Sequence, residues 1–349
     1  MQAEDKDKYN NLLVGLTRYM IAVVFIFIVT AICAIVIILN PSAYSVAPVA
    51  DSASTEQTTT QASPTTNWWS PPDINSLSDP EQRRIVEYGK NLIAHTSSYF
   101  GPKGTIGSQT NGLNCQNCHL SAGTVVFGNN YGSVASTYPK FRARSGTVES
   151  IAKRVNDCFE RSLNGKALDT TGNEMKAIIA YIKFLGSNVK QGQKAAGSGF
   201  KELAYLDRAA NPTNGKQVYI TKCQSCHQAG GEGLLNDLKN EYTYPPLWGA
   251  QSYNDGAGLY RLSNLAKFIK YNMPLGATHE SPQLTDEEAW DLAAFINSQS
   301  RPKKDIRADW PDISKKPIDH PFGPFSDGFT EIQHKFGPFG PIESKRKKI

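Results

Sequence analysis

The sequence predicts a mainly α-helical protein: two copies of one small domain in tandem, preceded by one transmembrane helix and a flexible tether. Three observations carry that expectation. Met20 to Leu39 is an apolar run without a charge, Pro41 to about Ser70 is rich in Ser, Thr, Ala and Pro, and the rest repeats one order of motifs twice. In the repeated part apolar residues recur at helical spacing, and few segments alternate like strands. The 349 residues suffice for two modest domains, and with 40% hydrophobic and 20% charged residues most of the chain can fold around a core. A net charge of +5 is too mild and too dispersed for a nucleic-acid partner, yet compatible with anionic small molecules. Six cysteines exclude a disulfide-dense scaffold.

Residues 1–19 carry Lys6, Lys8 and Arg18, and no further Lys or Arg follows the apolar run until Arg83. That asymmetry puts 1–19 in the cytoplasm and the bulk of the chain outside. The run at 20–39 has twenty residues, about 30 Å as a helix, enough to span a bilayer. The alternative is a cleaved signal peptide, whose apolar region is usually shorter. Cleavage after Ala47 would leave Pro48 at the new N-terminus, and cleavage after Ala50 would put Pro48 where a small residue is preferred. An uncleaved anchor is therefore expected, with Cys33 a small apolar residue inside it. Residues 40–70 lack the large aliphatic side chains that folding needs and read as a flexible linker, with Trp68 and Trp69 beginning the packed part.

The first copy is expected at 71–189, a linker at 190–204 and the second copy at 205–301. Each copy opens on an amphipathic stretch with Gly-Lys, Gly89-Lys90 and Gly215-Lys216. Each then has Cys-x-x-Cys-His: Cys115, Cys118 and His119, and Cys223, Cys226 and His227. A Tyr-Pro pair follows, Tyr138-Pro139 and Tyr244-Pro245, then a helical stretch, Ile151 to Val155 and Leu265 to Ile269. Each copy closes on a helix with a capping box, Thr171 to Glu174 and Thr285 to Glu288. The tail at 302–349, with PFGPF and KFGPFG, reads as a strap over the surface.

Two thiols and an imidazole in Cys-x-x-Cys-His are what covalent c-type heme attachment requires: the thiols add to two vinyl groups and the imidazole reaches the iron. Two covalently bound heme c groups are therefore expected, which makes the fold two class I cytochrome c-like domains in tandem. The alternatives are a zinc site from Cys115, Cys118, Cys223 and Cys226, which leaves both histidines unexplained, and a redox dithiol. A carbonyl near Pro139 and one near Pro245 would accept Nδ1–H of His119 and His227 and fix each ring. In the second copy Met273, in Asn272-Met273-Pro274, is the expected sixth ligand, with His279 the rival. The first copy has no methionine there. Aligning Ala152 with Ala266 brings Cys158 to the Asn272 position, so Cys158 is expected to face the first heme, ahead of Met175 and His95. A thiolate stabilises ferric iron, and it is a nucleophile when free of iron. Arg142, Arg144, Arg154 and Arg161 cluster around it in sequence, and Arg154 and Cys158 share a helix face at i and i+4. Arginines converging on such a cysteine point to an anion site.

The run FRARSGTVESIAKRVNDCFERSLNG, with NCQNCH before it and PIDHPFGPF near the C-terminus, resembles the diheme thiosulfate dehydrogenases, which are also tetrathionate reductases. The resemblance covers about Pro71 to Ile349. It implies His119 and Cys158 on the first heme, His227 and Met273 on the second, and Arg144 and Arg154 holding substrate beside Cys158 with Ser162 nearby. The implied reaction couples two thiosulfates into tetrathionate with release of two electrons, or its reverse. The first heme would be catalytic, and the second would exchange electrons with a periplasmic or membrane carrier, a cytochrome or a quinone-linked protein. The apolar span and the Lys/Arg asymmetry, and not the resemblance, place the expected location at the bacterial inner membrane, with the heme domains in the periplasm. Many members are soluble, so the anchor is a departure. Some carry Lys before the second heme's methionine and exchange ligands on reduction; Asn272 stands there in this chain. A plain electron-transfer cytochrome and another sulfur oxidoreductase are the competing classes.

Overall fold

The structure, a computed structural model, describes residues 3–39 and 67–347, in two units that divide after Pro64. The first unit holds one long helix, Ala3–Leu39. Its stretch Leu12–Thr30 has a mean hydropathy of 2.5 and no side chain buried within the protein. Among the described residues this helix is long and apolar enough to cross a membrane, and the window includes Arg18. The expected linker at 40–70 lies outside the described residues as far as 66, as do the Ala47 and Ala50 cleavage points and the side chain of Cys33.

The second unit is mainly helical, with two cores. In the first copy the helix Pro80–Ala94 packs on the closing helix Asn173–Leu185, and Leu92, Ile93, Ile178 and Ile182 fill the space between. In the second copy Pro212–Lys222 packs in the same way on Asp286–Ser298. The repeated Gly-Lys is explained by these crossings. A Cβ at Gly89 would lie 2.0 Å from the Ala177 carbonyl oxygen, and one at Gly215 would lie 1.9 Å from that of Asp291. Only glycine lets the backbones approach so closely.

Trp69 opens the packed part: its backbone N–H donates to Ala196 O at 3.1 Å and its Nε1 to Asn188 Oδ1 at 2.9 Å. The two capping boxes differ. Thr285 and Glu288 form one reciprocally, at 3.1 and 2.9 Å. The expected box at Thr171 does not form, because Asp169 Oδ1 takes both the N–H and the hydroxyl of Thr171, at 2.9 and 2.8 Å. The closing helix of the first copy starts one residue later, with Gly172 as its N-cap.

Two short antiparallel pairs interrupt the helices: Lys140–Arg142 with Thr147–Glu149, and Leu234–Leu235 with Tyr242–Tyr244. The C-terminal tail is more than a surface strap. Phe339 and Ile342 are buried in the second core, and Phe336 O accepts the Ala210 N–H at 2.8 Å.

Candidate active site and cofactor cavities

Each Cys-x-x-Cys-His motif opens on its own cavity. Cys115, Cys118 and His119 line a space of about 950 Å3, walled by apolar side chains such as Leu113, Tyr131, Ile178 and Ile182. Cys223, Cys226 and His227 line a second of about 1170 Å3, with Leu265, Phe268, Ile269 and Leu292. The imidazoles are prepared as neutral ligands. Enclosure holds the His119 pKa down to about 4, and desolvation lowers that of His227. His227 Nδ1–H donates to Pro245 O at 2.8 Å, the acceptor that the motif predicted. For His119 the acceptor is Asn129 O at 2.6 Å, where Pro139 was expected. Asn129 has φ +59, a left-handed conformation that Asn adopts more readily than most residues. The turn-rich Gly128-Asn129-Asn130 is the sequence signal that would have found it. In both domains the Nδ1 bond leaves Nε2 as the lone-pair nitrogen, and Tyr131 stacks on the His119 ring at 4.5 Å.

Two thiols, a neutral imidazole and an apolar space on each motif fit a covalently held heme. Cys115 and Cys118 are half-buried, and desolvation pushes each thiol pKa up to about 12. Among the described residues no group of three or more His, Cys, Asp or Glu side chains is placed to hold a metal, so a four-cysteine zinc site is not assembled.

The distal candidates separate by position. Cys158, on the helix Ile151–Arg161, lines the first cavity. Met175 is fully buried in the first core, and His95 pairs with Glu241 at 3.1 Å; neither lines that cavity. Met273 lines the second cavity, directly after the helix Leu262–Asn272. Its rival His279 does not, being packed edge-on against Trp68 and Phe127 at 5.7 and 5.0 Å. Leu113 and Cys118 line both motif cavities, so the two spaces adjoin at the first motif.

A third cavity, about 610 Å3, opens beside Cys158 and collects Arg144, Arg154, Arg161 and Ser162. Arg144 reaches it from the turn between strands Lys140–Arg142 and Thr147–Glu149. Arg154 Nη1 lies 3.2 Å from Cys158 Sγ, and the neighbouring Cys158 raises the Arg154 pKa above its ordinary value. Burial, with Arg161 and Arg154 nearby, lowers Arg144 to about 10. Arg142 does not line this cavity.

Several contributors lie beyond sequence reasoning. Phe200, Leu259 and Asn264 close the cavity from the second half of the chain. Asp309 of the tail holds Arg161 in a bidentate pair at 2.8 and 2.9 Å. Asn254 donates from its side chain to Glu160 O at 2.9 Å and from its backbone N–H to Arg161 O at 3.1 Å. It thereby satisfies carbonyls in the last turn of the Cys158 helix. Trp310 donates its backbone N–H to Arg144 O at 2.7 Å, with the Arg144 guanidinium 5.8 Å above its ring.

Known proteins match this layout domain by domain. The SoxA/TsdA cytochrome c domain family covers residues 107–190, and the cytochrome c family covers 212–300. A thiosulfate dehydrogenase of Psychrobacter arcticus is 38% identical over 243 residues, 69% of this chain and 71% of the relative. That of Allochromatium vinosum is 40% identical over 196 residues, 55% of this chain and 71% of the relative. Among solved structures, thiosulfate dehydrogenase (TsdBA) from Marichromatium purpuratum in its as-isolated form is similar with a TM-score of 0.62 at 32% identity. That match covers 68% of this chain and half of the solved one. Identity at this level over more than two thirds of a relative's length, in a chain that matches two cytochrome c domain families, makes the chain a member of the diheme thiosulfate dehydrogenase family.

Proposed function

We propose that this protein interconverts thiosulfate and tetrathionate at Cys158 and exchanges the electrons with a carrier through its second domain. The observation that carries the reading is Arg154 Nη1 at 3.2 Å from Cys158 Sγ in a cavity that also holds Arg144 and Ser162. Two heme c groups, which Cys115, Cys118 and His119 and Cys223, Cys226 and His227 would hold with Cys158 and Met273 as further iron ligands, would each supply a one-electron acceptor. Arg144 and Arg154 bind the sulfonate end of thiosulfate and offset the repulsion between dianions. Arg161 is neutralised by Asp309, so it shapes the wall more than it binds. Cys158 Sγ forms a sulfur–sulfur bond to the outer sulfur of one thiosulfate as two electrons leave. A second thiosulfate attacks that bond and departs as tetrathionate, returning the thiolate. The reverse direction uses the same groups.

The helix Ala3–Leu39 and the Lys/Arg asymmetry support a single-pass anchor in the bacterial inner membrane, with the heme domains in the periplasm. An assay of thiosulfate, tetrathionate and sulfite with an artificial redox dye tests the function. Turnover between thiosulfate and tetrathionate is expected, with sulfite inert. Electron exchange without any sulfur turnover would leave a membrane-anchored electron-transfer cytochrome.

A further inference from the structure

The tail and the second copy enclose another basic space. It is a cleft of about 1210 Å3 whose walls include Asp255, Lys304, Asp309, Trp310, Lys316 and His320. It shares no lining residue with the two motif cavities or with the cavity beside Cys158.

Two buried groups here lack the partners that their chemistry requires. Lys316 is 4% exposed, and its Nζ donates only to the carbonyls of Phe322 and Pro324, at 3.2 and 2.9 Å. Desolvation lowers its pKa. Both carboxylates of the cleft hydrogen-bond to groups other than Lys316, on which Asp309 acts only through space. Asp309 is bidentate to Arg161, and Asp255 accepts from the Lys304 N–H and from Lys303 Nζ. An ammonium out of water, bonded only to neutral groups, calls for an anion. The second group is Trp310, 9% exposed, whose Nε1 is buried without a hydrogen-bond partner. A buried donor of this kind is rarely left unsatisfied.

We infer that this cleft is a second anion site, for a small divalent sulfur oxoanion, with the Lys316 ammonium and the Trp310 indole N–H as its buried donors. The identity of the anion rests on the proposed function; the existence of the site does not. One layer of side chains joins it to the catalytic cavity. The Trp310 ring faces the Arg144 guanidinium, and Asp309 grips Arg161. A reaction that consumes two mutually repelling dianions gains from a second one held behind that layer, where Arg144 screens it from the first.

Equilibrium dialysis of the full-length holoprotein against radiolabelled sulfate, a non-reacting probe, tests the site. Lys316→Met is expected to bind one sulfate fewer than the unsubstituted protein. Trp310→Phe, which keeps the ring but loses the N–H, is expected to bind that sulfate roughly tenfold more weakly. Unlabelled thiosulfate should displace it at lower concentration than phosphate does. Circular dichroism and heme spectra check each fold, and if Lys316→Met misfolds, Trp310→Phe decides. Equal stoichiometry and affinity in all three proteins would overturn the site, and phosphate displacing as well as thiosulfate would overturn the sulfur assignment. Because sulfate does not react, absence of thiosulfate turnover leaves this measurement readable.

Discussion

Cys158 and Arg154 form the smallest unit on which the proposed chemistry depends. They lie one helical turn apart, and a charge-assisted contact of this kind is worth about 1.5–3 kcal/mol. Cys158→Gly should abolish thiosulfate–tetrathionate turnover while heme stain and mass still report two attached hemes, because the four motif cysteines are untouched. Retained turnover would make Cys158 structural. Arg154→Ala should lower kcat/KM for thiosulfate by roughly 10–150-fold, with little change in heme attachment. Asp309→Asn acts differently. It removes the counter-charge of Arg161 where both side chains are only 11–12% exposed, so thermal unfolding should show a loss of up to about 3–5 kcal/mol. With a third uncompensated guanidinium at the cavity, KM for the dianion should fall; an unchanged KM would place Arg161 outside the substrate's field. The i, i+4 relation of Arg154 to Cys158 was legible in the sequence. The Arg161–Asp309 pair was not, because its partners are 148 residues apart and joined by the folded tail alone.

Elements of the two copies look alike in sequence and differ in how their ends are satisfied. Thr285 forms a reciprocal capping box with Glu288, whereas the hydroxyl of Thr171 is occupied by Asp169. Thr285→Ala should therefore cost about 1 kcal/mol in denaturant unfolding, and Thr171→Ala should cost less. Equal losses would contradict the difference between the two helix starts. The pattern Thr-x-x-Glu is the same in both, and a neighbouring acceptor decided which one forms. Strand signals were weak, and the hairpin that carries Arg144 has only three residues on each side. Such a pair is set by its packing, here by Trp310 receiving Arg144 O, more than by intrinsic strand propensity.

On the scale of the whole molecule the proposed anchor carries a topological prediction. Protease added to intact spheroplasts should digest the heme domains, and the Ala3–Leu39 helix should stay with the membrane fraction. A soluble periplasmic product starting near Asp51 would identify the helix as a cleaved signal. The tail belongs to this scale as well. It contributes Phe339 and Ile342 to the second core and Asp309 and Trp310 to the region around the cavity beside Cys158, so it ties the two copies together.

The sequence by itself determined what local chemistry and periodicity can specify. It determined the number of heme motifs, the helical repeat, the glycines at the helix crossings, the apolar span, and Cys158, reached by aligning one copy on the other. Tertiary structure decided which groups meet across the chain. Asn129 O rather than a carbonyl near Pro139 accepts from His119, and Asn254, Asn264, Asp309 and Trp310 complete the surroundings of Cys158. The physical reason is range. Helix periodicity, caps and ligand spacing act over a few residues and leave a pattern in the sequence. A cavity wall or a buried ion pair is made by residues more than a hundred positions apart, whose meeting is fixed by how the two cores and the tail pack.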